Sequence, residues 1–206
     1  MSAPRPFDSG ELFTELGQVD VDTRARLQAR LVAQAHEAGI LDIAYRTVDT
    51  PLGALLLART DKGLVRVAFA CEDHDMVLAQ LADRVSPRVL RAPGRLDPVA
   101  HQVEEYFAGR RTRFELRLDL QLASGFRRTV LTHLSAIPYG TTASYAVLAA
   151  AAGSPRAVRA AGSACATNPL PVVVPCHRVV RSDGALGQYV GGTDAKRTLL
   201  ELEGAA

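Results

Sequence analysis

The chain of 206 residues has few cysteines, no tryptophan and no long apolar run. Its three cysteines, Cys71, Cys165 and Cys176, are an odd number at wide spacing, which excludes a disulfide framework and favours a reducing, cytoplasmic compartment. No stretch approaches the roughly 18 apolar residues of a membrane span, and the N-terminal region lacks the apolar core of a secretory signal. Hydrophobic residues make up 48% of the chain, which is enough for a folded core.

Acidic residues are absent from one long segment, residues 120–182, which contains six arginines. The net charge is only +2, so the asymmetry is local: residues 124–206 have 8 basic and 4 acidic side chains, against 16 and 18 in residues 1–123. A basic surface without carboxylates favours a polyanion, because each phosphate contact releases counterions. We therefore expect nucleic acid as a partner. The alternative is that alanine-rich packing helices leave little room for charge.

The first part of the chain has the pattern of an α+β protein. Residues 1–40 are predicted to be an N-terminal extension that serves packing or self-association, and residues 41–121 a small domain with an antiparallel sheet. Turn signals and apolar periodicity delimit its elements. Strands are predicted at Ile43–Val48, Ala54–Ala58 and Leu64–Phe69, helices at about Asp22–Ala38, Asp75–Val85 and Asp97–Phe107, and a linker with a strand at Arg110–Gln121.

Residues 122–206 are predicted to form a second, mainly helical domain. Ser154-Pro155 places an N-cap residue before a proline at the first helical position, which is a strong start signal. Two short alanine-rich helices joined at Gly153 fit a helix-turn-helix, although an ordinary helical hairpin has the same spacing. The predicted helices cover about Ser124–Ala136, a stretch from a cap at Thr142 or Ser144 to Ala152, and Arg156–Ala166.

The residues with chemical potential are concentrated in residues 168–178, which read Asn-Pro-Leu-Pro-Val-Val-Val-Pro-Cys-His-Arg. Three prolines exclude a regular helix, and the valines predict an extended, buried strand. Cys176 would then open a helical turn, where the helix N-terminus, His177 and Arg178 should favour the thiolate. Adjacent side chains on a helix do not face each other, so His177 would act through water and need an orienting carboxylate. The alternative is an inert core cysteine.

The Pro175-Cys176-His177-Arg178 segment lies between Asn168-Pro169 and Gly187-x-Tyr189-x-Gly191-Gly192. Together they closely resemble the O6-alkylguanine-DNA alkyltransferases (methylated-DNA–protein-cysteine methyltransferases), over roughly residues 43–204. The resemblance implies a ribonuclease H-like N-terminal domain and a C-terminal domain with a helix-turn-helix and an active-site cysteine loop. It also implies DNA repair without a cofactor. The alkyl group of O6-alkylguanine in double-stranded DNA would pass irreversibly to the protein after minor-groove binding and base flipping, and O4-alkylthymine stays open as a second substrate.

The resemblance also implies roles for single residues. Cys176 matches the alkyl acceptor, His177 the base that acts through water, and Glu203 the carboxylate that orients His177. Tyr145 matches the phenol that donates to guanine N3, and Asn168 the residue that joins the recognition helix to the active-site segment. Further residues match the base pocket (Ser182, Tyr189, Val179 and Gly191) and the DNA-binding surface (Arg159, which fills the vacated stack, with Arg156, Ser144, Thr142 and Ala160).

Structural alternatives stay open for several of these residues. Tyr145 can pack between helices, Tyr189 can line the pocket without a specific bond, Ser182 can serve a turn, and Glu203 can be solvated. For the whole protein, the alternatives are a Cys–His hydrolase or acyltransferase and a lesion-recognition or regulatory DNA-binding protein. We expect no metal, because Cys71-x-x-His74 offers too few ligands. We also expect no membrane contact and no obligatory protein partner, with cooperative self-association on DNA left open.

Overall fold

The computed structural model describes residues 21–205 and divides into two compact units at Ile40/Leu41. In the first unit, helix α1 (Val21–Glu37) has nearly the predicted bounds. Gly39 follows it with φ 63°, a left-handed conformation that glycine adopts at little steric cost. The role of this helix in packing or self-association stays a prediction. No helix among the described residues is long and apolar enough to cross a membrane.

The second unit contains a four-stranded sheet of β1 (Ile43–Thr50), β2 (Gly53–Arg59), β3 (Leu64–Phe69) and β4 (Val89–Arg91). The strand order is β3-β2-β1-β4. The first three strands pair antiparallel, as predicted, but β4 pairs parallel with β1. The sheet is therefore mixed rather than purely antiparallel. Alternation could not reveal β4, because three residues are too few to establish a period.

Helices α2 (His74–Arg84) and α3 (Asp97–Phe107) follow the predicted pattern, and α3 has the predicted bounds. Asp73 caps α2 by accepting hydrogen bonds from two backbone amides of its first turn. The strand predicted within residues 110–121 is wrong, since that stretch makes only a single bridge to β3 and then a 3-10 helix. One core cluster joins α2 to the sheet: Ile43, Leu56, Ala58, Val65, Ala68, Val77 and Leu81.

The helical part of this unit begins with α4 (Gly125–Leu134), α5 (Tyr145–Ala151) and α6 (Val158–Ala166). Ser144 rather than Thr142 caps α5, its hydroxyl accepting from the amide of Val147 at 3.2 Å. The predicted start of the next helix is wrong. Residues 154–157 form a turn closed by a 2.8 Å bond from Ala157 N to Ser154 O, so α6 begins later. Helices α5 and α6 contact each other, as a helix-turn-helix requires, and the α+β class is confirmed.

The segment before Cys176 is buried, but the strand predicted there is wrong. Val172 has φ 71°, which reverses the chain, and Val174 N donates to Leu170 O at 2.7 Å across the turn. The expected helical turn follows as a 3-10 helix over Cys176–Arg178. The next strand, β6 (Val179–Val180), pairs in parallel with the short strand β5 (Ala143–Ser144), which precedes α5. The last helix is α7 (Gly192–Leu202).

Candidate active site around Cys176

Cys176 begins the 3-10 helix and is buried. Its sulfur lies 3.1 Å from Nδ2 of Asn168, and the same amide nitrogen donates to the carbonyl of Val174 at 2.8 Å. Oδ1 of Asn168 accepts from the amide of Leu170 at 2.9 Å. The Asn168 side chain therefore holds both ends of the buried turn and presents a donor to the thiol.

The thiol of Cys176 is held in its neutral form. Burial raises the pKa of the Cys176 thiol to about 11, and the Asn168 amide and the Lys196 ammonium offset only part of that effect. The expected preference for the thiolate is therefore wrong for the free protein, because His177 and Arg178 are directed to Glu203 instead. A nucleophilic role for this sulfur requires a base that removes its proton during the reaction.

His177, Arg178 and Glu203 form a buried network next to the cysteine. Nε2 of His177 lies 2.9 Å from Oε1 of Glu203, and Arg178 donates to both carboxylate oxygens at 2.8 and 2.9 Å. Burial opposes the carboxylate charge, but the hydrogen bonds from His177 and Arg178 outweigh it and hold the pKa of Glu203 at about 2. The Glu203 side chain is fully buried, so the alternative of a solvated carboxylate is wrong.

The ring of His177 is neutral and has one nitrogen free to accept a proton. Burial lowers the pKa of His177, although the Glu203 carboxylate partly opposes this. Because Nε2 faces an ionised carboxylate, we assign the ring proton to Nε2 and the lone pair to Nδ1. Nδ1 is buried and has no hydrogen-bond partner among the described residues. A neutral imidazole with an available lone pair, oriented by a carboxylate, is the arrangement of a general base.

Two buried residues of this site were not identified from the sequence. Tyr106, on α3, donates a 2.6 Å hydrogen bond to Oε1 of Glu203. Lys196, on α7, is fully buried, and its ammonium donates to the carbonyls of Val179 (at 2.5 Å) and Leu186. Tyr106 occupies an apolar position of an amphipathic helix and so looks like a core residue. Lys196 did leave a signal, since it is one of only two lysines among 24 basic residues.

Tyr145 lies at the start of α5 and faces the residues around the cysteine. The centroid of its ring is 6.0 Å from Nζ of Lys196, and a Cβ atom on Gly187 would lie 3.0 Å from its hydroxyl oxygen. Burial raises the pKa of Tyr145 to about 12, with smaller contributions from Cys165 and Cys176. At neutral pH this phenol is therefore protonated and can donate a hydrogen bond.

The remaining predicted pocket residues lie in different surroundings. Tyr189 is buried, and its ring packs edge-on against Phe69 of β3 at 5.7 Å and against His177 at 6.2 Å. At Gly191 a Cβ atom would lie 2.8 Å from the Phe69 ring, so only glycine allows this approach. Val179 is buried beside the 3-10 helix, whereas Ser182 is exposed in a turn.

Comparison with known families agrees with this architecture. The model of the 6-O-methylguanine DNA methyltransferase ribonuclease-like domain matches residues 43–120, and the model of the DNA binding domain of the same enzyme matches residues 125–205. The chain belongs to the 6-O-methylguanine DNA methyltransferase family. The second unit thus consists of two halves that are characteristic of this family, a sheet half (residues 43–120) and a helical half (residues 125–205).

Individual members of the methyltransferase family resemble the chain over most of their length. The methylated-DNA–protein-cysteine methyltransferase of Mycolicibacterium paratuberculosis is 41% identical over 161 residues, which are 78% of this chain and 92% of that protein. The constitutive enzyme of Bacillus subtilis is 40% identical over 160 residues, or 77% and 94%. A Mycobacterium tuberculosis structure solved in complex with DNA superposes with TM-score 0.69 at 38% identity, covering 79% of this chain and 93% of that one.

The residues that the family resemblance assigns to DNA binding lie on or next to α5 and α6, and most of them are exposed. Arg159 and Ala160 are exposed on α6, Arg156 is exposed in the turn before it, and Thr142 is exposed ahead of α5. Ser144 is half-buried because it caps α5. No carboxylate occurs between residues 120 and 182 to oppose a phosphate backbone here. This surface has the charge that a DNA-binding member of the family needs.

Proposed function

We propose that the protein repairs DNA by transferring the alkyl group of O6-alkylguanine in double-stranded DNA to its own Cys176. The observation that supports this most directly is the buried thiol itself: the amide of Asn168 contacts its sulfur, and the next residue is a neutral His177 oriented by Glu203. The carbonyl of Cys165, on α6, accepts from the backbone amide of Asn168 at 3.3 Å, which ties the thiol to the helix-turn-helix. The names of the relatives describe methylated DNA and a protein cysteine, and the proposal extends that chemistry to this chain.

The transfer needs one proton to move and one bond to be exchanged. The Cys176 thiol passes its proton to Nδ1 of His177 through a water molecule, and the imidazolium formed is stabilised by the Glu203 carboxylate. The sulfur attacks the alkyl carbon, the carbon–O6 bond breaks, and its electron pair stays with guanine. The guanine anion then takes up a proton in exchange for the one that the His177 imidazolium releases to water, so the net charge is unchanged. The thioether cannot be hydrolysed by these side chains, and each chain therefore reacts once.

Negative charge develops on the leaving guanine, and donors near the thiol can stabilise it. Tyr145 stays protonated at neutral pH, because burial raises its pKa to about 12, and we assign to it the hydrogen bond to guanine N3. The Lys196 ammonium, whose charge already opposes the raised pKa of the Cys176 thiol, favours the thiolate as the proton leaves. Removing either donor should slow the transfer without removing the acceptor sulfur.

The alkylated base must leave the duplex before it can meet a buried thiol. Extrusion costs a few kcal/mol, and the weakened pairing of a damaged base reduces that cost. Arg159 is exposed on α6, and its planar guanidinium can stack in the gap while remaining close to phosphates. We therefore propose that Arg159→Ala slows transfer from duplex DNA more than transfer from the free alkylated base. An equal loss on both substrates would contradict the base-flipping role.

The proposal is tested with a duplex oligonucleotide that contains one O6-methylguanine, in excess over the protein. Intact and peptide mass spectrometry should find one methyl group per chain on the peptide with Cys176, and no further turnover. Cys176→Ala should abolish the transfer and retain DNA binding, while Cys71→Ala, at an exposed cysteine, serves as the matched control. Binding without transfer in the unmodified protein would instead support the lesion-recognition or regulatory alternative.

A further inference from the structure

A cavity of about 310 Å³ adjoins the turn that holds Asn168, and neither Cys176 nor His177 lines it. Its walls come from the sheet half, through β3 and α2, and from the helical half, through α4 and the end of α6. Asn168, whose amide contacts the Cys176 sulfur, forms part of its lining. Val77 and Leu81 give it one apolar wall.

The cavity lining has an excess of positive charge. Three arginines line it, together with a single carboxylate, Glu72. Both oxygens of the Glu72 carboxylate already have partners, because one pairs with Arg66 and the other accepts from the amide of Phe69 at 2.9 Å. Neither Arg84 nor Arg127 forms an ion pair within the described part of the chain. Two guanidinium charges thus face the same cavity without a counter-ion.

Arg127 also has an unused hydrogen-bond donor. One terminal nitrogen of its guanidinium donates to the carbonyl of Thr167, at the end of α6. Its Nε atom is buried and has no partner among residues 21–205. Burial lowers the pKa of Arg127, and the nearby charges of Arg84 and Arg66 lower it further. Buried donors in native structures generally have an acceptor, and repelled cations gain most from an anion.

We propose that this cavity binds a phosphate group between Arg84 and Arg127. A phosphate has oxygens to accept from Nε of Arg127 and from the unpaired guanidinium of Arg84, and its negative charge offsets that of the two uncompensated cations. Two sources share this chemistry, a free phosphate and a phosphate of a DNA backbone passing the end of α6. The site does not depend on alkyl transfer, so it can be tested without an alkylated substrate.

Occupancy of this cavity would act on the backbone next to the acceptor cysteine. Arg127 holds the carbonyl of Thr167, and Arg66 donates to the carbonyl of Pro169 at 3.3 Å. These two carbonyls flank Asn168, the residue that contacts the Cys176 sulfur. A phosphate that orders the Arg127 guanidinium would therefore also order the turn that presents the Asn168 amide.

The first experiment titrates the full-length protein with inorganic phosphate by calorimetry, with sodium chloride at matched ionic strength as the blank. We expect one saturable site in the natural protein and at least a tenfold weaker affinity in Arg84→Gln and in Arg127→Gln. Arg128→Gln is the matched control, since Arg128 is exposed on the same helix as Arg127, removes the same charge and does not line the cavity. Arg84 is exposed, so its variant should fold even if Arg127→Gln does not.

The second experiment identifies the source of the phosphate. The affinity for an unmodified duplex is measured over a salt series for the natural protein and the same variants. A DNA backbone phosphate predicts that the slope of log K against log salt falls by about 1 in Arg84→Gln, as expected for one lost contact. If the ligand is free phosphate, Arg84→Gln should lose the phosphate site seen by calorimetry but keep the salt slope of duplex binding. The proposal is overturned if Arg84→Gln and Arg127→Gln have the same phosphate affinity and the same salt slope as the natural protein.

Discussion

The phenolic oxygen of Tyr106 lies 2.6 Å from Oε1 of Glu203, the same oxygen that Nε2 of His177 contacts at 2.9 Å. The two residues are 97 positions apart, and Tyr106 belongs to α3 in the sheet half of the unit. The phenol donates to the carboxylate that orients the candidate base. The sheet half therefore contributes directly to the charge network beside Cys176.

Removing the Tyr106 hydroxyl should weaken that network. Tyr106→Phe keeps the buried ring but deletes a hydrogen bond to a charged group, so we expect a loss of about 1.5–3 kcal/mol in the free energy of unfolding. Transfer to Cys176 should also slow. Urea unfolding and single-turnover kinetics provide the two measurements.

The control for this change is Tyr139→Phe. The Tyr139 hydroxyl donates at 2.9 Å to the backbone carbonyl of Leu202, which is a neutral acceptor, so the expected loss is only about 0.5–1.5 kcal/mol. Equal losses in the two variants would contradict the special role of the Tyr106–Glu203 bond.

Acid should lower the free energy of unfolding over two pH ranges. Burial lowers the pKa of His177 from its usual 6.5, so the unfolded chain binds this proton first and stability falls as the pH drops below about 6.5. The pKa of Glu203 is about 2 in the folded protein against a usual 4.5, so a second contribution, of about 3 kcal/mol, is lost between those values. Urea denaturation from pH 8 to pH 2 measures both.

Glu203→Gln tests the assignment of the second contribution. The variant should be less stable at neutral pH, because Arg178 is then buried without its carboxylate, a loss of about 3–5 kcal/mol. Its stability should also change less between pH 4.5 and pH 3 than that of the natural protein. Glu201→Gln, at an exposed position on α7, is the matched control. A variant curve parallel to that of the natural protein would assign the acid transition to other carboxylates.

The thiol of Cys176 should be unreactive toward general alkylating agents in the folded protein. Burial raises the pKa of this thiol to about 11, which leaves about one molecule in ten thousand as thiolate at pH 7. Cys71 is exposed and should react first with iodoacetamide, while Cys165, with a pKa raised to about 12 by burial, should stay protected. Peptide mass spectrometry follows the three sites. Labelling of Cys176 at the rate of Cys71 would contradict the neutral buried thiol.

The features predicted correctly from sequence depend on short-range patterns. Helix α3 and strand β3 follow from apolar spacing between turn residues, and the capping role of Ser144 was one of two alternatives. The errors occur where contacts between distant residues decide the backbone. The turn at Val172 forms because Asn168 bonds across it, and valine by itself favours a strand.

The same distinction explains the candidate site. Cys176 and His177 are recognisable because they are adjacent in a distinctive motif, and Glu203 through the family resemblance. The ionisation of the thiol was wrongly predicted, because it depends on burial and on the orientation of His177 and Arg178 toward Glu203. Tyr106 could not be found at all, since nothing local distinguishes a packing tyrosine from one that donates to a distant carboxylate.

The last prediction concerns the close approach of Gly191 to the Phe69 ring, where β3 packs against the segment that contains Tyr189. The backbone of Gly191 does not have a left-handed conformation, so an added Cβ would destabilise the fold only through its clash with Phe69 ring atoms 2.8 Å away. Gly191→Ala should therefore cost about 1–3 kcal/mol in the free energy of unfolding, as overpacking does. Phe69→Leu together with Gly191→Ala should recover part of that loss, because the smaller side chain makes room. Gly162→Ala is the control: its Cβ would be 3.9 Å from Tyr145 inside α6, and stability should be unchanged or increased. If Gly191→Ala were as stable as the natural protein, Phe69 would not fix the position of the Tyr189–Gly191 wall.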